Sequence, residues 1–523
     1  MRSDRSKPVE FMTAMTTILR EPSNAASQTY DLIIVGGGVY GAMLSLEASR
    51  RGLRSLLLER GDFGGETSHN SLRIVHGGFR YLQTLDFKRF FESIRERQWF
   101  LQTFPNLVQP LPCLMPLYGI GIRRSDVLRT ALLLNDILSA NRNHNVRSDR
   151  HLPVGKVITS EQVHQFFPLV DWQDLQGGAV WYDASMPDSQ RLLIAILRWS
   201  CALGGVALNY VEAQALLKAK TKNNLTGLLA RDLMSYEVFE YRASVVVNAA
   251  GPWCRELAAD FDRDIPNLFR ASLAWNVLFD RASLSDFALA VTPKQSGSKT
   301  YFIHPWKGRL LAGTLHNPWS DDGIISKPMP SSRQITEFLA DLNTAIPGLD
   351  LSQQEILRIF SGLLPVTQSH SIQLSNREIM FDHGKQGGPQ GLYSVSGVKF
   401  TTSRLVAEKT IKKIFSSTQK SKDYQKHSFL TSDEVQNMLG IYDYDYVFKA
   451  SDRNWKNELS KIITEESVQH LDDLILRRTS IGDNPQRALA SASLICQLFP
   501  WDNTRCQQEI FRLEKLFTND LSA

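Results

Sequence analysis

Gly36, Gly38 and Gly41 form a Gly-x-Gly-x-x-Gly run in a setting that could bind a dinucleotide. An apolar strand, Leu32 to Val35, leads into the glycines, and Ala42, Leu44, Leu46 and Ala48 follow at helical spacing. A second apolar strand, Ser55 to Leu58, closes on an acid, Glu59. In such a βαβ unit the first glycine makes the tight turn, the second lets the backbone approach the pyrophosphate, and the third lets helix pack on strand. The helix N-terminus faces the phosphates and the acid accepts from a ribose hydroxyl. Two later groups could serve redox chemistry. His76-Gly77-Gly78 offers backbone without bulk, suited to close passage of a planar ring or simply to a turn with positive φ. Lys399, Thr401 and Thr402 stand at the start of a helical pattern, whose N-terminus is equivalent to about half a positive charge.

The glycine run does not distinguish NAD from FAD. Ala243 to Trp253 is a β-rich apolar segment that breaks at Ala250-Gly251-Pro252. A second strand ending in small residues suits a flavoprotein, which needs another backbone edge against its dinucleotide; an ordinary core strand with a Gly-Pro turn is the alternative. Lys399 and the threonines would then face the flavin's pyrimidine edge, where a positive environment stabilises the charge that develops on reduction.

These groups need a large scaffold. A chain of 523 residues, 43% hydrophobic and 22% charged, has room for two or three domains. The net charge of +5 is a mild bias, and no basic cluster points to nucleic acid. Cys113, Cys201, Cys254, Cys496 and Cys506 lack metal spacing and read as reduced thiols, with no metal expected. Residues 1–28 read as a loose N-terminal extension. A helix is expected from about Asp86 to Thr103, and another from Ser125 to Asn141, whose leucine stripe suits core packing or a monotopic membrane contact. Residues 187–216 read as helix then strand, residues 267–361 as β-rich, and residues 401–415 as a helix. After a polar linker, a mostly helical C-terminal segment starts at Ser432-Asp433-Glu434.

From about residue 30 onward the chain resembles the FAD-dependent, aerobic-type glycerol-3-phosphate dehydrogenases, within the D-amino-acid-oxidase-like flavoproteins. The resemblance rests on TSHNSLRIVHGGFRYLQ (Thr67–Gln83), NAAGPW (Asn248–Trp253), FIHPWKGRLLAGT (Phe302–Thr314), SGVKFTTSRLVAE (Ser396–Glu408) and LDDLILRRTSIG (Leu471–Gly482). It implies an α/β fold with a discontinuous Rossmann-like FAD-binding domain (29–112, 187–260, 375–418), a β-rich substrate domain (113–186, 261–374) and a C-terminal helical domain (426–523). It adds Thr67, Ser68, Ser71, Arg73, Ala250 and Gly251 to the cofactor residues. For the substrate it implies Arg80, Tyr81 and Arg377, with His304 a candidate general base. The implied reaction moves a hydride from an alcohol C–H to flavin N5 and passes the electrons to a quinone or oxygen. A cytoplasmic protein with at most a peripheral membrane contact is expected. An oxidase of a hydroxy or amino acid, or a flavin binder without turnover, remains the alternative. Four positions depart from the family pattern: a phosphate-binding arginine is replaced by Leu364, a histidine near the substrate by Leu273, the flavin-loop lysine by Arg73 and the second glycine before Lys399 by Val398.

Overall fold

The computed structural model describes residues 17–521 apart from 83, 120, 122–123, 221–222, 295–297, 320–327, 367–373, 376–377 and 417–453. Its centre is a six-stranded sheet assembled from distant parts of the chain. The strands lie in the order Ile379–Asp382, Leu392–Ser396, Val246–Asn248, Leu32–Val35, Ser55–Leu58 and Val206–Leu208. All neighbours are parallel except the first pair, an antiparallel hairpin. Leu32–Val35 and Ser55–Leu58 are buried throughout, as near-continuous apolar runs in a parallel sheet must be. Helices Val39–Ser49, Ser189–Ala202 and Ser403–Ile414 bury Leu44, Leu46, Ile194, Ile196, Val406 and Ile411 in the core beside it.

A second, nine-stranded sheet carries most of the middle of the chain. It includes Gln109–Leu117, Gly177–Ser185, Ala271–Ala282, Tyr301–Trp306, Arg309–Pro318 and Ile356–Pro365, and also takes Ile74–Val75 from the segment after the glycine run. Helix Ser332–Ala345 interrupts the stretch read as β-rich. Its capping box, Ser331 with Gln334, starts it, and Ile335, Phe338, Leu339 and Leu342 bury its apolar face. A third sheet of four strands pairs Thr29–Tyr30 with Val238–Ala243.

The helix expected from Asp86 runs Phe87–Thr103, with the Asp86 side chain accepting from Arg89 N. The one expected from Ser125 runs Ser125–Leu138 and has no side-chain cap. Residues 17–28 are not loose. Ile18 is buried and bridges to Glu466, Arg20 pairs with Asp232, and a short helix, Pro22–Ala26, buries Ala25. The C-terminal segment is helical from Trp455–Glu465 through a π-helical turn, Asp473–Arg478, to Pro485–Cys496 and Asn503–Leu521, around its own apolar core. The start expected at Ser432 lies outside the described residues.

Candidate active site

A cavity of about 1240 Å3 runs from the glycine turn to the large sheet. At its nucleotide end, Gly36 holds φ of +112°, and a Cβ there would stand 2.6 Å from Ala249 O. The parallel register of Val246–Asn248 with Ile33–Val35 brings that carbonyl in. Only glycine fits, so the turn and the Ala249–Ala250 strand end close on each other. Gly38 and Gly251 line the cavity as well. Gly41 does not, because it lies under the turn, where a Cβ would stand 1.8 Å from Gly36 O. Its absent side chain serves helix–strand packing. Glu59 accepts from Gly37 N at 2.6 Å and Gly61 N at 2.7 Å. Burial outweighs these bonds and raises its pKa above the ordinary carboxylate value.

The serine-rich loop joins the two sheets. Ser68 Oγ accepts from Val39 N at 3.0 Å, at the start of the first helix. Thr67 Oγ1 donates to Leu363 O and Asn70 Nδ2 to Ser361 O on the large sheet. Thr67, Ser68 and Ser71 line the cavity, but Arg73 does not. Its φ of +64° turns the side chain into the core, where it donates to His69 O and Ser189 Oγ and lies against Trp306 and Phe360. Burial lowers its pKa to about 10. Arg73 thus braces the loop from behind.

His76 and Gly78 line the cavity; Gly77 sits behind them, with no room for a Cβ beside Arg97. The sequence reading missed Asp183. Its carboxylate faces His76 Nδ1 at 3.4 Å, accepts from Gly77 N at 2.6 Å and pairs with Arg97 at 3.1 Å. Burial alone would raise the Asp183 pKa, but His76 and Arg97 outweigh it and bring it below the ordinary value. The only signal was one acid in an otherwise apolar strand, Gly177–Ser185.

Beside the His76 loop, Lys399 and Thr401 precede helix Ser403–Ile414 and line the wall, with Thr401 Oγ1 accepting from His76 N at 3.3 Å; Thr402 is outside it. Tyr40 pins this turn, accepting from Lys399 N at 3.1 Å and donating to Lys399 O at 3.0 Å. Gly397 makes room for the Tyr40 ring. Burial, then the charge of Arg80, lowers the Lys399 pKa to about 8. Its Nζ lies 4.3 Å from the centre of the Tyr81 ring.

Arg80 and Tyr81 line the far end together with Lys299 and His316, two residues that the sequence reading did not single out. Burial and the charges of Lys299 and Arg80 lower the His316 pKa to about 4, so it is neutral at pH 7. His304 is elsewhere. It is buried outside the cavity, with Nε2 3.0 Å from Ser185 Oγ and a pKa lowered to about 3 by burial and Arg73. That is a core histidine, out of reach of a substrate. Leu364 lines the cavity, whereas Leu273 packs into the core of the large sheet. Its neighbour Ala274 faces the cavity between Gly362 and His316 on the flanking strands. Arg377 lies outside the described residues.

Residues 31–412 match the model of the FAD dependent oxidoreductase family. A glycerol-3-phosphate dehydrogenase of Synechocystis sp. is 30% identical over 408 residues, 75% of this chain and 71% of the relative. Mitochondrial glycerol-3-phosphate dehydrogenases of Arabidopsis thaliana and Rattus norvegicus are 29% and 27% identical, and the chain covers 61% and 55% of their lengths. The crystal structure of a glycerol-3-phosphate dehydrogenase from Bacillus halodurans with FAD shares the fold. Its TM-score is 0.67 at 19% identity, covering 96% of this chain and 97% of that one. An L-amino acid deaminase from Proteus vulgaris has a TM-score of 0.52 at 13% identity over 75% of this chain and 94% of that one.

Proposed function

We propose that this chain, which belongs to the FAD-dependent oxidoreductase family and to its glycerol-3-phosphate dehydrogenase group, oxidises the secondary alcohol of an anionic substrate, glycerol 3-phosphate. The cation cluster carries the reading. Arg80, Lys299 and Lys399 face one end of the cavity, and Arg80 lies close enough to depress the pKa of both Lys399 and His316. The acids of the nucleotide wall, Glu59 among them, belong to the other end. Asp183, beside the His76–Gly78 loop, is committed to His76, Gly77 and Arg97. A phosphate needs such unneutralised donors.

The nucleotide end suits FAD: the Gly36 turn admits no side chain, and Glu59 keeps lone pairs for a ribose hydroxyl. When bound, FAD supplies the hydride acceptor. In this reading Asp183 orients His76, and His76 takes the proton of the substrate hydroxyl. Arg80 and Lys299 bind the phosphate, Lys399 adds positive charge near the ring, and Phe79, Trp181 and Phe302 keep water from the reacting carbon. Anaerobic bleaching of the flavin absorbance by millimolar glycerol 3-phosphate, with glycerol inert, is the expected result. No bleaching, or equal bleaching by glycerol, refutes the substrate.

A quinone acceptor and a peripheral membrane contact complete the proposal. Leu133 and Ile137, both more than 60% exposed, lie on helix Ser125–Leu138, and its end packs beside Phe90 and Ile94. Phe87 and Phe91 are exposed on the neighbouring helix. An apolar surface of this kind suits a lipid interface. Among the described residues no helix is long and apolar enough to cross a membrane. Flotation with anionic vesicles should be lost in the Phe91→Ser/Ile137→Ser variant; wild-type protein that stays at the bottom of the gradient removes this part.

A further inference from the structure

The loop that follows Glu59 is held from behind by a different domain. Asp62 is buried, lines the cavity and receives a two-pronged contact from Arg478, Nη1 to Oδ2 and Nη2 to Oδ1, both at 2.7 Å. Arg477 Nε reaches the same carboxylate at 2.5 Å. Both arginines lie on the π-helical turn Asp473–Arg478 of the C-terminal domain, more than 410 residues away in sequence. Arg477 also bonds Asp472 and Asp473, and Arg478 donates to Glu466 O. A bridge from the nucleotide sheet completes the seat. Asn209 donates to Asp62 at 3.0 Å and to Ser467 O at 2.8 Å, and the Tyr210 hydroxyl donates to Asp473 at 2.6 Å. Tyr210 N and Val211 N hold Gly61 O and Glu59 O. Burial by itself would raise the Asp62 pKa, but Arg478 and Arg477 outweigh it and keep the group ionised.

Buried charges of this kind are costly unless they are matched, so each partner fixes the position of the others. Asp62 stands three residues after Glu59, whose carboxylate orders the glycine turn through Gly37 N. A displacement of Asp62 is therefore a displacement of the ribose end of the cavity. We infer that Arg477 and Arg478 are positioning residues for the cofactor: the C-terminal domain clamps the Glu59–Gly65 loop through Asp62 and slows the release of FAD. The inference rests on the cofactor reading above and goes beyond it, because neither arginine lines the cavity.

The test uses the full chain and reads FAD release by flavin fluorescence after dilution, with folding followed by circular dichroism. Asp62→Asn keeps the shape of the side chain and removes its charge; Arg478→Met removes the fork. Each should raise the FAD dissociation rate tenfold or more. The double variant should be no worse than the worse single one, because Asp62→Asn already breaks the charged contact that Arg478→Met removes. Arg512→Met, which strips a partly exposed partner from Asp472, should leave the rate near wild type. Folded Asp62→Asn and Arg478→Met proteins that release FAD at the wild-type rate overturn the clamp, as does an equal effect of Arg512→Met. Linkage supplies a check that needs no variant: adding FAD to apoprotein should slow amide exchange in Asp473–Arg478. Unchanged exchange there also overturns it. A chain that takes up no FAD defeats the cofactor reading, whereas FAD uptake with an unaltered release rate defeats only the clamp.

Discussion

Leu364→Arg should convert the apolar corner of the cavity into another phosphate contact. Leu364 pairs with Ser272, and Ala274, two residues along that strand, pairs with His316 on its other side. Leu364 and the His316 strand are thus two strand spacings apart, roughly 10 Å. A guanidinium at 364 would share the space of Arg80 and Lys299. A charge-assisted hydrogen bond to phosphate contributes about 1.5–3 kcal/mol, a tightening of roughly tenfold to 150-fold. Before substrate arrives, the added charge meets repulsion. At a separation of about 10 Å and an effective dielectric of about 20, one like-charged neighbour costs about 1.7 kcal/mol. The free enzyme should therefore melt earlier, and bound phosphate should restore the loss. The assay is the perturbation of flavin absorbance on titration with glycerol 3-phosphate at low and high salt, with neutral glycerol as control. The gain should shrink with salt, since screening acts over about 8 Å at 0.15 M. An unchanged Kd for glycerol 3-phosphate, or an equal gain for glycerol, would refute the placement of the phosphate among these cations.

Four further outcomes follow from the same geometry. His76→Gln should lower kcat by about 10²–10⁴ with FAD still bound, as expected of a lost general base; stopped-flow reduction within threefold of wild type would remove His76 from that role. Lys399 holds its proton below a pKa of about 8, so affinity for anionic substrate should fall as pH rises past 8, and Lys399→Met should flatten that dependence. The same lowered pKa means that the unfolded chain binds the extra proton between about pH 8 and its ordinary value of 10.5. This group therefore opposes folding most below pH 8 and least above 10.5, and Lys399→Met apoprotein should melt later than wild type at pH 7. Gly36→Ala combines a contact 2.6 Å from Ala249 O with a φ that L-residues avoid and should yield folded protein that elutes without its yellow colour; full FAD occupancy would contradict the close approach of turn and strand end.

The parts of the site that were legible in the sequence are those that local chemistry specifies. Gly36 and Glu59 follow directly on apolar strands and Gly38 stands at the start of the helix between them, so their roles follow from a turn, a strand and a helix within thirty residues. Helix Ser332–Ala345 was missed, although Ser331 and Gln334 with Ile335, Phe338, Leu339 and Leu342 spell a cap and an apolar face. The surrounding strands masked it. Arg73 shows a different limit: a loop motif places the residue, but one backbone angle decides whether its side chain meets the cavity or the core.

The substrate end depends on register, which no local pattern carries. Leu273 and Ala274 are adjacent in sequence, yet one packs in the core of the large sheet and the other faces the cavity. Side chains alternate along a strand, so a shift of one residue in pairing would exchange the two. Polar groups on that face include His316, supplied from the next strand opposite Ala274, and Asn276, two residues along from Ala274. Asp183 likewise meets His76 because Ala184 pairs with Val75 and turns its neighbour toward the loop. Loss of a polar residue at 273 therefore says little about the polarity of the cavity. Leu364, which does face the cavity, is the departure that bears on the substrate.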